Sequence, residues 1–320
     1  MGIKIFIKSI GIAAAFLVCC FSGTAQQIER FNPDTVKTID LDPNAVNIVA
    51  QKLSVETFIR AITTDTTFYQ SFRKMKAYHF IAENRLYTYD KKNKVNGKVY
   101  RKIRHYNAGP VKMEYLAKQD TGKVFKKNGK HQLYTLEMFD YLFMNAYQSG
   151  FVENAAAGDG KGGTNAGYKE KLKTLIFNPG KPVKGIPFIG SKTEIFTANM
   201  RQYYDYTFQS GTYLDSIPVY RFKVSEKKDL SNWTKNGLMI KELVTIFDKR
   251  DFAILGRYVD MKYSNMLFDF DVQMNIEMSY FGADKLPAKI TYQGNWNVPF
   301  KKEERASFLI LHKDYQLEHP

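Results

Sequence analysis

Cysteine is nearly absent from this chain. Its 320 residues include two, Cys19 and Cys20, side by side in the first apolar stretch. With that stretch removed, no disulfide, thiolate metal site or cysteine nucleophile is left. Histidine is scarce as well. His79, His105, His131, His312 and His319 show neither paired metal-ligand spacing nor an H-E-x-x-H motif. No nucleophile elbow and no Ser-x-x-Lys signature is present. The run Ile10 to Phe21 falls short of the roughly 20 apolar residues that a membrane-spanning helix needs. Thiol chemistry, structural zinc and the familiar hydrolase signatures are thereby excluded, and no cofactor is implied.

What is present begins with an address. Lys4 and Lys8 precede the apolar run, and Ser22-Gly23-Thr24-Ala25 leads into Gln26-Gln27. That is the pattern of a secretory signal peptide over residues 1–25, so the expected location is exported, periplasmic or outer-membrane-associated. The alternative is a lipoprotein anchored through Cys20. Leu17-Val18-Cys19-Cys20 loosely matches that processing site, but Cys19 stands where Gly, Ala or Ser is usual.

The formal net charge is +15, and it is concentrated. Residues 73–130 contain 17 Lys and Arg against four acids, Glu83, Asp90, Glu114 and Asp120. Charge segregated in this way suits an anionic partner. Export argues against nucleic acid and favours an anionic envelope surface, such as a lipid head group, a lipopolysaccharide phosphate or an acidic polymer. Lys91, Lys92, Lys94, Lys98, Arg101 and Arg104 are the candidate contacts. A solvated, lysine-rich sheet face is the competing explanation.

Aromatic content of 15%, mostly Phe and Tyr, favours β structure. Residues 26–53 read as an extended lead-in and 54–320 as a single β-rich domain. Ser54 is a candidate cap for a helix containing Phe58, Ile59 and Ile62. Thr63-Thr64-Asp65 then breaks it before Phe68, Phe72 and Met75. Strands are expected at 78–89, 99–106 and 111–117, with the Asp90–Lys98 stretch and its Asn96-Gly97 as a hairpin turn. Thr135 is placed to cap a helix presenting Phe139, Leu142, Phe143 and Ala146, ended by Gly150. Residues 153–167 hold five glycines and read as a flexible loop.

From Tyr203 to Tyr315 the pattern is an antiparallel meander. Phe268 to Tyr280 alternates apolar and polar without exception, so one face takes Phe270, Val272, Met274 and Ile276 and the other Asp269, Asp271 and Glu277. At roughly 3.4 Å per residue this strand is about 40 Å long, which implies a large curved antiparallel sheet. Charges interleaved at Asp260 and Lys262 argue against a membrane barrel. Hairpin turns are expected at Asp248–Asp251 and Gly282–Lys285.

The order of elements, with Ile217-Pro218-Val219-Tyr220-Arg221-Phe222-Lys223-Val224, Phe247-Asp248-Lys249-Arg250-Asp251-Phe252-Ala253-Ile254 and Leu286-Pro287-Ala288-Lys289-Ile290, resembles the periplasmic lipoprotein-sorting proteins and similar secreted envelope proteins. The resemblance is one of pattern over residues 54–310. It implies a mainly β fold, an unclosed half-barrel with helices on its concave side, receiving acyl chains there.

The expected function is non-enzymatic binding of lipid, acyl chains or a lipidated partner. Phe270, Val272, Met274 and Ile276 would line the site, with Ile186, Phe188 and Ile189 of the Pro182–Gly190 loop at its mouth. One alternative is a structural protein docked on an anionic envelope polymer or complex. A weaker one is a hydrolase using Asp269, Asp271 or Glu277, since two strand steps separate such carboxylates by roughly 7 Å. Gly158-x-Gly160-x-x-Gly163 matches a dinucleotide fingerprint formally but lacks the preceding strand. Tyr203-Tyr204-Asp205-Tyr206 and Trp296 are aromatic enough to stack on sugars.

Overall fold

The longest uninterrupted alternation in the chain becomes β9, Asp269–Phe281, and its two faces sort as the side chains dictate. Phe270, Val272, Met274, Ile276 and Met278 are buried on one face. The computed structural model describes residues 37–38, 53–106, 112–139, 143, 176–181, 190–214, 216–264, 269–297 and 302–317. The signal-peptide residues 1–25, the glycine-rich stretch 153–167 and the loop residues Ile186, Phe188 and Ile189 lie outside them, as does all of the lead-in except Lys37, Thr38 and Leu53.

The strands are β1 (Lys37–Thr38), β2 (Tyr78–Tyr89), β3 (Val95–Tyr106), β4 (Lys112–Gly122), β5 (Tyr204–Tyr213), β6 (Ile217–Glu226), β7 (Ile240–Asp248), β8 (Ile254–Ser264), β9, β10 (Asp284–Asn297) and β11 (Glu304–Leu317). They form one antiparallel sheet in the order β1-β5-β6-β7-β8-β9-β10-β11-β2-β3-β4. The meander β5 to β11 thus follows the chain, and the N-terminal unit β2-β3-β4 adds beside its last strand. The sheet does not close, so the fold is mainly β, a half-barrel with helices on its concave side.

Two helices cover that side. Helix α1 (Val55–Thr64) starts at Ser54, whose hydroxyl accepts from the Thr57 amide at 3.3 Å. Asp65 ends α1 in an extended conformation and opens α2 (Thr67–Lys74). Its carboxylate accepts from the amides of Thr67 (3.2 Å) and Phe68 (3.0 Å) and from the Thr67 hydroxyl (2.6 Å). A single acid therefore turns the chain from one helix into the next. Phe58 and Ile62 of α1, one turn apart, are fully buried. The Phe58 ring lies 4.8–5.8 Å from those of Phe208, Tyr220, Phe222, Phe247 and Phe252. Helix α2 buries Phe68, Tyr69 and Phe72, and packs over β8 and β10. One apolar core joins both helices to strands from β5 to β3. A smaller cluster of Tyr213, Val219, Val244, Ile246, Leu255 and Tyr258 lies on the opposite face.

Helix α3 (Tyr134–Phe139) forms in the expected stretch, but Thr135 lies within it rather than capping it, its amide and hydroxyl both donating to Glu304 at 2.8 Å. Phe143 packs 5.5 Å from Phe308. The rest of that expected helix is outside the described residues. Helices α4 (Ala198–Arg201) and α5 (Asn232–Gly237) are single turns between strands. No helix among the described residues is long and apolar enough to cross a membrane.

Two turns differ from the expectation. The β2–β3 turn is confined to Asp90–Lys94, because the Asp90 carboxylate accepts from the amides of Lys92 (2.8 Å) and Lys94 (2.9 Å). Asn96-Gly97 lies within β3 instead. Gly97 is there for space: a Cβ would sit 2.6 Å from Thr88 Oγ1 and 2.7 Å from Val124 Cγ1. The β9–β10 turn tightens to Gly282-Ala283, with Gly282 at φ +62°.

Candidate concave-face site

Strand register carries one row of side chains across the concave face. It runs from Thr245 on β7 to Arg257 on β8, Ile276 on β9, Ile290 on β10, Ile310 on β11, Asn84 on β2 and Arg101 on β3. All seven are buried. Three isoleucines thus form an apolar centre flanked on both sides by polar groups.

Arg257 is the most unusual of them. It is 2% exposed, and its Nη1 donates to the carbonyls of Ile176 (3.2 Å) and Phe177 (2.9 Å). Its guanidinium lies 4.6 Å over the Phe68 ring. Nε and Nη2 have no hydrogen-bond partner among the described residues. Burial pulls its pKa down to about 10, opposed by the Asp65 charge. The Thr245 hydroxyl and both amide atoms of Asn84 are likewise buried and unpartnered among the described residues.

Two histidines sit further along the same face. His105 stacks on Phe80 at 4.3 Å, and His312 meets the other side of that ring edge-on at 5.6 Å. His312 Nδ1 is 3.2 Å from the Pro287 carbonyl. Burial pushes the His105 imidazole down to about 4. Burial, and secondarily the His105 charge, pushes His312 down to about 3. Both are neutral imidazoles packed in the core.

The expected ligand-lining residues Phe270, Val272, Met274 and Ile276 share this concave face, each 6% exposed or less. They belong to the main apolar core. Trp296 stacks on Phe270 at 5.2 Å and donates to Tyr292 Oη at 2.6 Å. Tyr204 donates to the Ile240 carbonyl at 3.0 Å, and Tyr206 to that of Ile195. These rings are committed to packing, so the sugar-stacking expectation has no platform in them.

The basic candidates separate. Lys91, Lys92 and Lys94 stand exposed on the Asp90 turn, and Lys98 is exposed on the convex face of β3. Arg104 shares that face but is already engaged by Glu114 at 3.3 Å and the Tyr106 hydroxyl at 3.2 Å. Arg101 is the correction. Alternation with Val99 and Ile103 turns it inward, where it is buried with its guanidinium 5.3 Å over Phe125. It is not part of an outer cationic face.

Asp269, Asp271 and Glu277 lie on the convex face, away from the row. Asp271 pairs with Lys262 at 3.0 Å. Glu277 accepts from Asn275 at 2.8 Å and Lys289 at 3.1 Å. Among the described residues no group of three or more His, Cys, Asp or Glu is placed to hold a metal ion.

Sequence reasoning overlooked Arg257 and Thr245, although a signal was there. Asp260 and Lys262 mark the even positions of β8 as polar, which puts Val259, Met261 and Tyr263 inward. The same parity extended by one step reaches Arg257. Compared with family models, with curated proteins and with solved structures, the chain matches none of them.

Proposed function

We propose that this is a non-enzymatic, exported binding protein of a Gram-negative envelope that takes an acyl chain, or the acyl chain of a lipidated partner, against the concave face of its half-barrel. This is the function implied by the resemblance to the periplasmic lipoprotein-sorting proteins. The observation that carries it is the continuous apolar core of the concave face, over which two short helices joined at Asp65 are laid, α1 against β5, β6 and β7 and α2 against β8 and β10. Helices of ten and eight residues owe their stability to the face they cover, so a competing apolar chain meets little intrinsic helix stability. Moving α2 off the sheet would open the apolar face of β8 and β10 to an extended hydrocarbon.

The test is native mass spectrometry of the purified mature protein, with titration by a fluorescent fatty acid. Co-purified lipid or saturable binding is expected. If no lipid is retained and the probe never saturates, the reading is wrong.

A second reading, docking on an anionic envelope polymer, is favoured by the exposed Lys91, Lys92, Lys94 and Lys98. It predicts binding to anionic vesicles that weakens steeply between 50 and 300 mM salt, roughly as screening shortens the reach of exposed charges. Replacing the four lysines by Gln should abolish that binding without altering acyl-chain uptake.

A further inference from the structure

We propose that the Nε/Nη2 edge of Arg257 is a carboxylate seat, which takes the head group of a single-chain fatty acid whose tail runs along the Ile276, Ile290, Ile310 row. The inference rests on the acyl-binding reading and adds the chemical class of the ligand.

Three observations carry it. The first is which atoms are free. Nη1 is used by two backbone carbonyls, while Nε and Nη2, without a partner among the described residues, lie on one side of the same guanidinium. That side presents two parallel N–H donors, the fork that a carboxylate fills with its two oxygens. The second is burial. Arg257 is 2% exposed, so water does not satisfy this edge from the surface. Buried donors left unmade are uncommon in native proteins and point to a missing partner. No acid among the described residues bonds to it. Asp65, the acid that acts on it electrostatically, has its oxygens engaged in capping α2. The third is position. Thr245, directly in register with Arg257, carries a buried hydroxyl with no partner among the described residues, which adds a third donor beside the fork. On the other side the row continues as three isoleucines on successive strands, the last about 14 Å from Arg257 at the usual strand spacing. A charged end next to an apolar track is the outline of a fatty acid. Phe68 closes one face of the guanidinium, which leaves in-plane approach as the geometry for the head group.

The experiment compares cis-parinaric acid with its methyl ester by fluorescence titration of the mature protein at pH 8. The acid should bind at least tenfold more tightly. R257Q should bring the acid down to the ester's affinity. R257K, which keeps the charge and loses the fork, should fall between. Equal binding of acid and ester by the unaltered protein overturns the carboxylate seat while leaving the acyl-binding reading standing, and it requires no variant to fold. A preference for acid that persists in a folded R257Q also overturns it. If neither probe saturates, the acyl-binding reading fails and the seat with it. Competition between dodecanoate and dodecyl phosphate separates the two oxyanions: stronger competition by the phosphate refutes the assignment to carboxylate.

Discussion

The two neutral histidines make stability depend on pH in a range where most proteins are indifferent. Unfolded, His105 and His312 titrate near 6.5. Folded, burial holds them to about 4 and about 3. Between those limits the unfolded chain binds two protons that the native protein does not. Stability therefore falls as pH drops below about 6.5, and it stops falling on their account only below the folded values. Near pH 5 the slope is about 1.4 kcal/mol per pH unit for each histidine, so the pair costs roughly 3 kcal/mol between pH 6.5 and 5. Carboxyl groups contribute little there, because in the unfolded chain they titrate near 4. That loss is a large part of the 5–15 kcal/mol typical of a folded domain. Urea melts at half-unit steps from pH 7 to 4.5 measure the slope. His105→Phe, which keeps a ring against Phe80, should halve the slope near pH 5 to about 1.4 kcal/mol per unit. A flat profile, or a slope unchanged in His105→Phe, refutes the assignment of two buried neutral imidazoles.

Other expectations follow from packing. Phe58→Ala should cost about 4 kcal/mol in urea melts with an unchanged m-value, because five surrounding rings cannot collapse into the space. A loss under about 1 kcal/mol would mean that α1 does not pack as described. Gly97→Ala should destabilise by about 1–3 kcal/mol, despite the better strand propensity of alanine, since its Cβ meets Thr88 and Val124. A stabilised Gly97→Ala variant would show that Thr88 and Val124 are free to retreat. Asp65→Ala removes three hydrogen bonds at the start of α2 and should cost about 1–2 kcal/mol, while Asp65→Asn keeps most of that. Equal losses for the two would count against the capping role.

The legible parts of this fold are those where one side chain type answers one environment. β9 was readable because every second residue meets the core and the others meet water. The break between α1 and α2 was readable because Thr63-Thr64-Asp65 serves a helix interior badly. The β2–β3 turn was misplaced because Asn-Gly is a strong local signal, whereas the Asp90 side chain bonds that hold the turn are a matter of geometry. Arg101 and Arg257 were harder for a different reason. An arginine in a strand ordinarily marks the wet face, and only the parity of its neighbours shows when it lies on the dry one. The carbonyls of Ile176 and Phe177 reach Arg257 from about eighty residues away in the chain, which no local pattern records.

The seam between β11 and β2 has a consequence for how the chain is made. Tyr89 and Ser307, 218 residues apart, share a hydrogen bond of 2.7 Å across it, and Glu83 meets Lys313 across 230 residues. The β2-β3-β4 unit therefore has no strand of the meander to pair with until β11 exists. Contacts so distant in sequence slow folding and leave the early strands exposed to mispairing meanwhile. The sheet of a nascent chain stays in two pieces until β11 is made, and a truncation that removes β11 strands β2, β3 and β4 outside the meander.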